Sequence, residues 1–119
     1  KLNLYAKDLR LLEENKDFFD KDLEKNVYLS NKNHLINLNI LNFVSNSKYK
    51  LKDFSETFKK ILQSKAYTFP IDGKYLIQNG MKEGYALGRV LKIIEDEWII
   101  NGFKISNDRV KNIIKSNLN

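Results

Sequence analysis

The chain has 119 residues, 42% of them hydrophobic and 12% aromatic, which is enough apolar side chain for a buried core and excludes general disorder. It contains no cysteine and one histidine, excluding disulfides, thiolate chemistry and most histidine-based metal or acid–base sites. The net charge is +6, with lysine supplying 18 of the 21 basic residues, a balance that favours anionic partners and point-charge contacts to phosphate.

Leu2, Tyr5, Leu9 and Leu12 fall on one helical face, predicting a helix from Leu2 to about Glu14. The periodicity is already running at Lys1 with no capping residue before it, so the chain reads as a piece of something longer. A continuation or second short helix passes through Phe18, Phe19 and Leu23, within an acidic stretch that includes Asp17, Asp20, Asp22 and Glu24. Another helix is expected over about Ser30–Ser45, burying Leu35, Leu38 and Leu41, with Phe43 and Val44 as further core candidates. Asn37, Asn39 and Asn42 then form the opposite, asparagine-rich face. His34 stands at the start of this helix as an ordinary surface residue.

Ser45–Lys48 reads as a turn. Asp53 followed three residues later by Glu56 has the form of a capping box, starting a helix to about Ser64 with Phe54, Phe58, Ile61 and Leu62 on its apolar face. Lys48, Lys50, Lys52, Lys59, Lys60 and Lys65 make this the most basic window of the chain, with a local balance of +4.

Four of the five glycines, Gly73, Gly80, Gly84 and Gly88, lie between Phe69 and Trp98, headed by the only proline, Pro70. Asp72 is placed as an N-cap, with Ile71 stapled to Leu76. That short helix ends at Asn79, and Gly80 supplies the left-handed position beyond it. A longer helix follows from near Gly84 to about Ile100. Its expected buried seam is Leu87, Leu91, Ile94 and Trp98, and Arg89, Lys92 and Asp96 point outward. Gly88 is read as allowing two helices to approach closely, and Tyr85 and Trp98 as core or staple residues. Gly102 ends the helix. Ser106 caps a last helix carrying Val110, Ile113 and Ile114, with an Ile105–Val110 staple. No stretch requires a strand, no apolar run is long enough to span a membrane, and no secretory signal is visible. The expectation is an all-α, compact bundle of six or seven short helices, divided into a region 1–68 and a glycine-spaced region 69–119.

The run Pro70-Ile71-Asp72-Gly73, then Ile77-Gln78-Asn79-Gly80-Met81-Lys82-Glu83-Gly84 and Leu87-Gly88-Arg89-Val90-Leu91 resembles the body region of the CCA-adding tRNA nucleotidyltransferase and poly(A) polymerase family. That family shows Asp-Gly or Ser-Gly, Leu-x-x-x-Gly, a short turn, Gly-Pro and Gly-x-x-Leu; here Asp72, Gly73, Leu76, Gly80, Gly84, Leu87, Gly88, Leu91 and Trp98 carry the pattern. Glu97-Trp98-Ile99 and Asn101-Gly102-Phe103 look most like the bacterial class II branch. The match covers about residues 69–103 and departs at Tyr85, where many members have proline.

The resemblance implies a cytoplasmic enzyme that adds C, C and A to tRNA 3′ ends from CTP and ATP, with magnesium held by carboxylates of a catalytic head. Neither that head nor a convincing neck motif is in this sequence. What remains resembles the tRNA-contacting C-terminal part, so no catalysis, cofactor or metal is expected of it alone. Its implied partners are tRNA and the upstream catalytic domain of the same polypeptide, with no membrane.

Independently of the family, the turn at Gly80–Gly84 and the helix start beyond it offer free backbone N–H groups and a partial positive charge to phosphate. Lys74, Lys82, Gly84, Arg89 and Lys92 form this candidate RNA site, extended by Lys48, Lys50, Lys52, Lys59 and Lys60. Two other readings of the same residues are a helical protein-interaction or scaffold domain and a helix-hairpin-helix-like DNA-binding module.

Overall fold

The computed structural model describes residues 3–118 and is all-α, with seven helices and no strand among them. They are α1 (Asn3–Glu14), α2 (Leu23–Leu29), α3 (Lys32–Ser45), α4 (Leu51–Gln63), α5 (Gly73–Gln78), α6 (Tyr85–Ile100) and α7 (Asn107–Ser116). The expected contribution of Leu2 lies outside the described residues. The chain divides into two units, one up to Tyr67 and one from Thr68 onward.

In the first unit α1, α2 and α4 pack on α3 around Phe18, Leu23, Val27, Leu35, Leu38 and Ile61. Between α1 and α2 the chain turns through 15–22, pinned by the Asn15 side chain, which accepts from the Asp17 amide and donates to Asp22. Asn31 caps α3 by accepting from the His34 amide. The His34 ring stacks on Tyr5 and lies 2.8 Å from an Asp8 carboxylate oxygen, tying α3 to α1. The histidine at the helix start is thus also an inter-helix tether.

Three readings of this unit need correction. Asn39 is not on a solvent face but fully buried, donating to the Phe54 carbonyl and accepting 2.5 Å from the Tyr49 hydroxyl. Its amide gives the α3–α4 hairpin a satisfied polar anchor, which an apolar-periodicity count cannot see. Val44, a core candidate, is 77% exposed. The N-cap of α4 is Lys50, with no side-chain cap bond; Asp53 sits inside the first turn, where its carboxylate meets the positive end of the helix dipole.

The second unit encloses Leu76, Met81, Val90, Ile94, Val110, Ile113 and Ile114. Asp72 and Ser106 accept from the amides of Tyr75 and Arg109, capping α5 and α7 as expected. The staple partners Ile71 with Leu76 and Ile105 with Val110 belong to this core. Helices α5 and α6 end alike. Gly80 and Gly102 have positive φ and donate to Ile77 and Ile99, while Met81 and Phe103 donate to the carbonyls of Leu76 and Trp98. Each is a Schellman turn with its apolar clasp, Met81 on Leu76 and Phe103 edge-on to Trp98.

The buried stripe of α6 is rotated from the expected seam. Val90 is fully buried with Ile94 and Trp98, whereas Leu87 and Leu91 are half-exposed at its border. Trp98 is core, packed between Phe69 and Phe103. Tyr85 is not: it is 89% exposed. Nor does Gly88 mediate a close approach, since nothing lies within 4 Å of where its Cβ would stand. The tight glycine is Gly73, whose Cβ would meet Leu87 Cδ2 at 3.3 Å.

Candidate nucleic-acid interface

The candidate site in the second unit is built by the Schellman turn of α5 and the start of α6. The turn reverses the chain at Gly80 and buries Met81, leaving residues 82–86 on the surface. Gly84, the N-cap of α6, has φ 141° and ψ −170°. Only glycine occupies that region comfortably, and it carries no capping side chain. Consequently the amides of Lys82, Glu83, Gly84, Tyr85 and Ala86 have no hydrogen-bond partner among the described residues; the first bonded amide is that of Leu87, which donates to the Gly84 carbonyl. They open to solvent at the positive end of a 16-residue helix.

The cations around this turn differ in availability. Lys74, Lys82 and Arg89 form no ion pair among the described residues, and all three are exposed. Lys92 is engaged within its own helix, 2.9 Å from Asp96 and 3.8 Å from Glu95. The hydrogen bond to Asp96 raises its ammonium above the ordinary lysine value. Tyr85, Gly88, Arg89 and Lys92 share the solvent face of α6, opposite Val90, Ile94 and Trp98. The Glu83 carboxylate lies in the same turn and opposes an anion there.

In the first unit the basic window divides by helical position. Lys48 and Lys50 lie in the connection to α4. Lys52 and Lys59, seven residues apart, share one exposed face, whereas Lys60 faces Asp20 at 3.9 Å. Beside the Lys52–Lys59 face runs an apolar stripe, Leu51, Phe58 and Leu62, exposed with Val44 and Ile40 of α3.

One ion pair leaves no trace in the sequence pattern. Arg109 makes two 2.8 Å bonds to the Glu97 carboxylate, joining α7 to α6; they hold the carboxyl below the usual carboxylate range and push the guanidinium up. Twelve residues separate the partners, so no local spacing signals them. Among the described residues no three His, Asp or Glu side chains group as a metal site requires, and no helix is long and apolar enough to cross a membrane. No family model, curated protein or solved structure matches the chain.

Proposed function

We propose that the chain is a tRNA-binding segment of a nucleotidyltransferase of the CCA-adding and poly(A) polymerase type, its second unit gripping the RNA backbone at the start of α6. The observation that carries this reading is the run of exposed amides at residues 82–86, without a hydrogen-bond partner among the described residues, flanked by Lys82 and Arg89, which form no ion pair among them. Backbone amides at a helix start and long cationic side chains recognise phosphate by position and charge, without reading bases. That suits a protein that must accept many tRNAs of one shape. The exposed Tyr85 ring adds a stacking surface among the bare amides. The resemblance of the run from Asp72 to Leu91 supports that family, in which nucleotide addition, with ATP, CTP and magnesium, would be the work of a catalytic head.

Filter binding of tRNA, a tRNA minihelix and duplex DNA at two salt concentrations tests the proposal. Affinity for tRNA should fall steeply with salt. Replacing Lys82 and Arg89 together by alanine should lower the log–log salt slope by about one per cation removed. Absence of tRNA binding at low salt would sink the reading, and equal affinity for duplex DNA would transfer the site to a DNA-backbone module.

One observation favours a second reading, a protein-docking domain: the exposed stripe of Leu51, Phe58 and Leu62 on α4, bordered by Lys52 and Lys59. Aliphatic side chains contribute little to a phosphate surface, but they fit an amphipathic helix with acidic flanks. If Leu51→Ser with Leu62→Ser leaves tRNA affinity unchanged, the stripe has no part in RNA binding.

A further inference from the structure

In the first unit, the end of α1 and the 15–22 turns face α3 and α4 across an open cleft of about 400 Å³, within the size range of small-molecule sites. Its apolar lining is Leu12 and the half-exposed ring of Phe19. Asn42, in the last turn of α3, and Asn46, the residue that follows the helix as its C-cap, also line it. The Asn42 side chain has no hydrogen-bond partner among the described residues, and Asn46 uses only Oδ1, accepting from the Lys48 amide. Glu13 and Lys16 on the other wall form no ion pair among the described residues.

The charges decide the ligand class. Glu13 and Asp20 balance Lys16 and Lys60, so the cleft has no excess field to hold a free anion. It offers instead an amide carrying both a donor and an acceptor, further polar groups on the opposite wall, and an aromatic ring. A neutral, flat molecule with donors and acceptors along one edge matches that set. Asparagine pairs in this way with base edges, and unstacked bases lie on aromatic rings.

We infer that this cleft binds a single unstacked nucleobase, with Asn42 on its edge and Phe19 against its face. The base comes from a free nucleoside or from an unpaired nucleotide of an RNA strand. The inference does not depend on the α6 turn, and its test separates the two.

The test is a titration of the 119-residue chain, followed through the side-chain amide signals of Asn42 and Asn46 and the ring signals of Phe19 by nuclear magnetic resonance. The probes are adenosine, cytidine, guanosine, uridine and, separately, inorganic phosphate. At least one nucleoside should give saturable shifts at these groups, and phosphate alone should give none. Asn42→Ala, at a half-exposed position whose side chain has no hydrogen-bond partner among the described residues, should leave the fold intact by circular dichroism and weaken that nucleoside about tenfold or more. Asn42→Asp, which keeps the shape but removes the donor, should shift preference toward bases that present an amino group.

Competition from single-stranded RNA assigns the base to a strand; nucleoside binding without competition assigns a free nucleoside. Both uphold the pocket. The absence of saturable shifts with every nucleoside overturns it, as do equal shifts with phosphate alone or unchanged affinity in Asn42→Ala. RNA shifts confined to residues 82–92 would overturn the pocket as a site on RNA while leaving the α6 reading intact.

Discussion

Gly84 and Gly88 stand one turn apart at the start of α6, yet alanine should act on them in opposite directions. Neither has a neighbour within 4 Å of the point a Cβ would occupy, so steric crowding contributes at neither. Gly84 has a backbone conformation that L-residues rarely adopt, and Gly84→Ala should destabilise by about 1–3 kcal/mol in urea unfolding. Gly88 lies inside a regular helix, and Gly88→Ala should stabilise by about 0.5–1 kcal/mol. If RNA backbone passes over this turn, Gly88→Ala should weaken tRNA binding while keeping its added stability. Asn39 and Tyr49 supply a further prediction. Tyr49→Phe leaves the buried Asn39 Oδ1 without a donor and should cost about 1–3 kcal/mol. Burial raises the Tyr49 phenol above its ordinary value; the Thr57 hydrogen bond works against this, and the Asp53 charge adds to it. The fold therefore favours the neutral phenol. This contribution is full below about pH 10 and is lost as pH rises through the raised folded value. Urea midpoints taken through that range should fall less steeply in Tyr49→Phe.

Among the elements, those with local grammar are legible in the sequence. Asp72, Ser106, Gly80 and Gly102 act within four or five residues of chain, so type and spacing suffice to place the ends of α5, α6 and α7. The seven-residue α2 is poorly marked because only Leu23 and Val27 are buried, too few positions to establish a period. The start of α4 lies earlier than expected because Asp53 followed by Glu56 imitates a capping box one turn inside the helix. Tyr85 and Val44, exposed, and Val90, fully buried, depart from the expected pattern for a shared reason: which apolar side chains of a helix are covered depends on neighbours remote in sequence. The candidate site is partly legible, since its glycines and cations are local. Whether Lys92 stands free or engages Asp96 is decided by side-chain conformation, which spacing alone leaves open. The α6–α7 clasp also yields a prediction. Glu97 should titrate below ordinary carboxylates because Arg109 hydrogen-bonds its charged form. Its contribution is therefore full above the unfolded carboxylate value and fades as pH falls through the lowered one. Arg109→Lys, which removes the two-pronged contact, should move the Glu97 titration upward in a carbon-detected pH series.

At the scale of the whole molecule, each of the two units carries its own core. The second holds both Schellman turns, the α5 and α7 side-chain caps and the Glu97–Arg109 clasp within its own span. Residues 68–119 expressed alone should therefore show a helical circular dichroism spectrum with a cooperative thermal transition, and a random-coil spectrum would refute that independence. Ile94→Ala in this fragment, at a fully buried position, should cost about 2–5 kcal/mol and abolish most of the signal. The Phe69–Trp98–Phe103 aromatic cluster has an optical consequence. Trp98 is the chain's sole indole, so red-edge excitation illuminates only the second unit, leaving residues 1–67 dark. Shielded from iodide in the folded chain, this single emitter can report the melting of one unit within the intact protein, with no label attached.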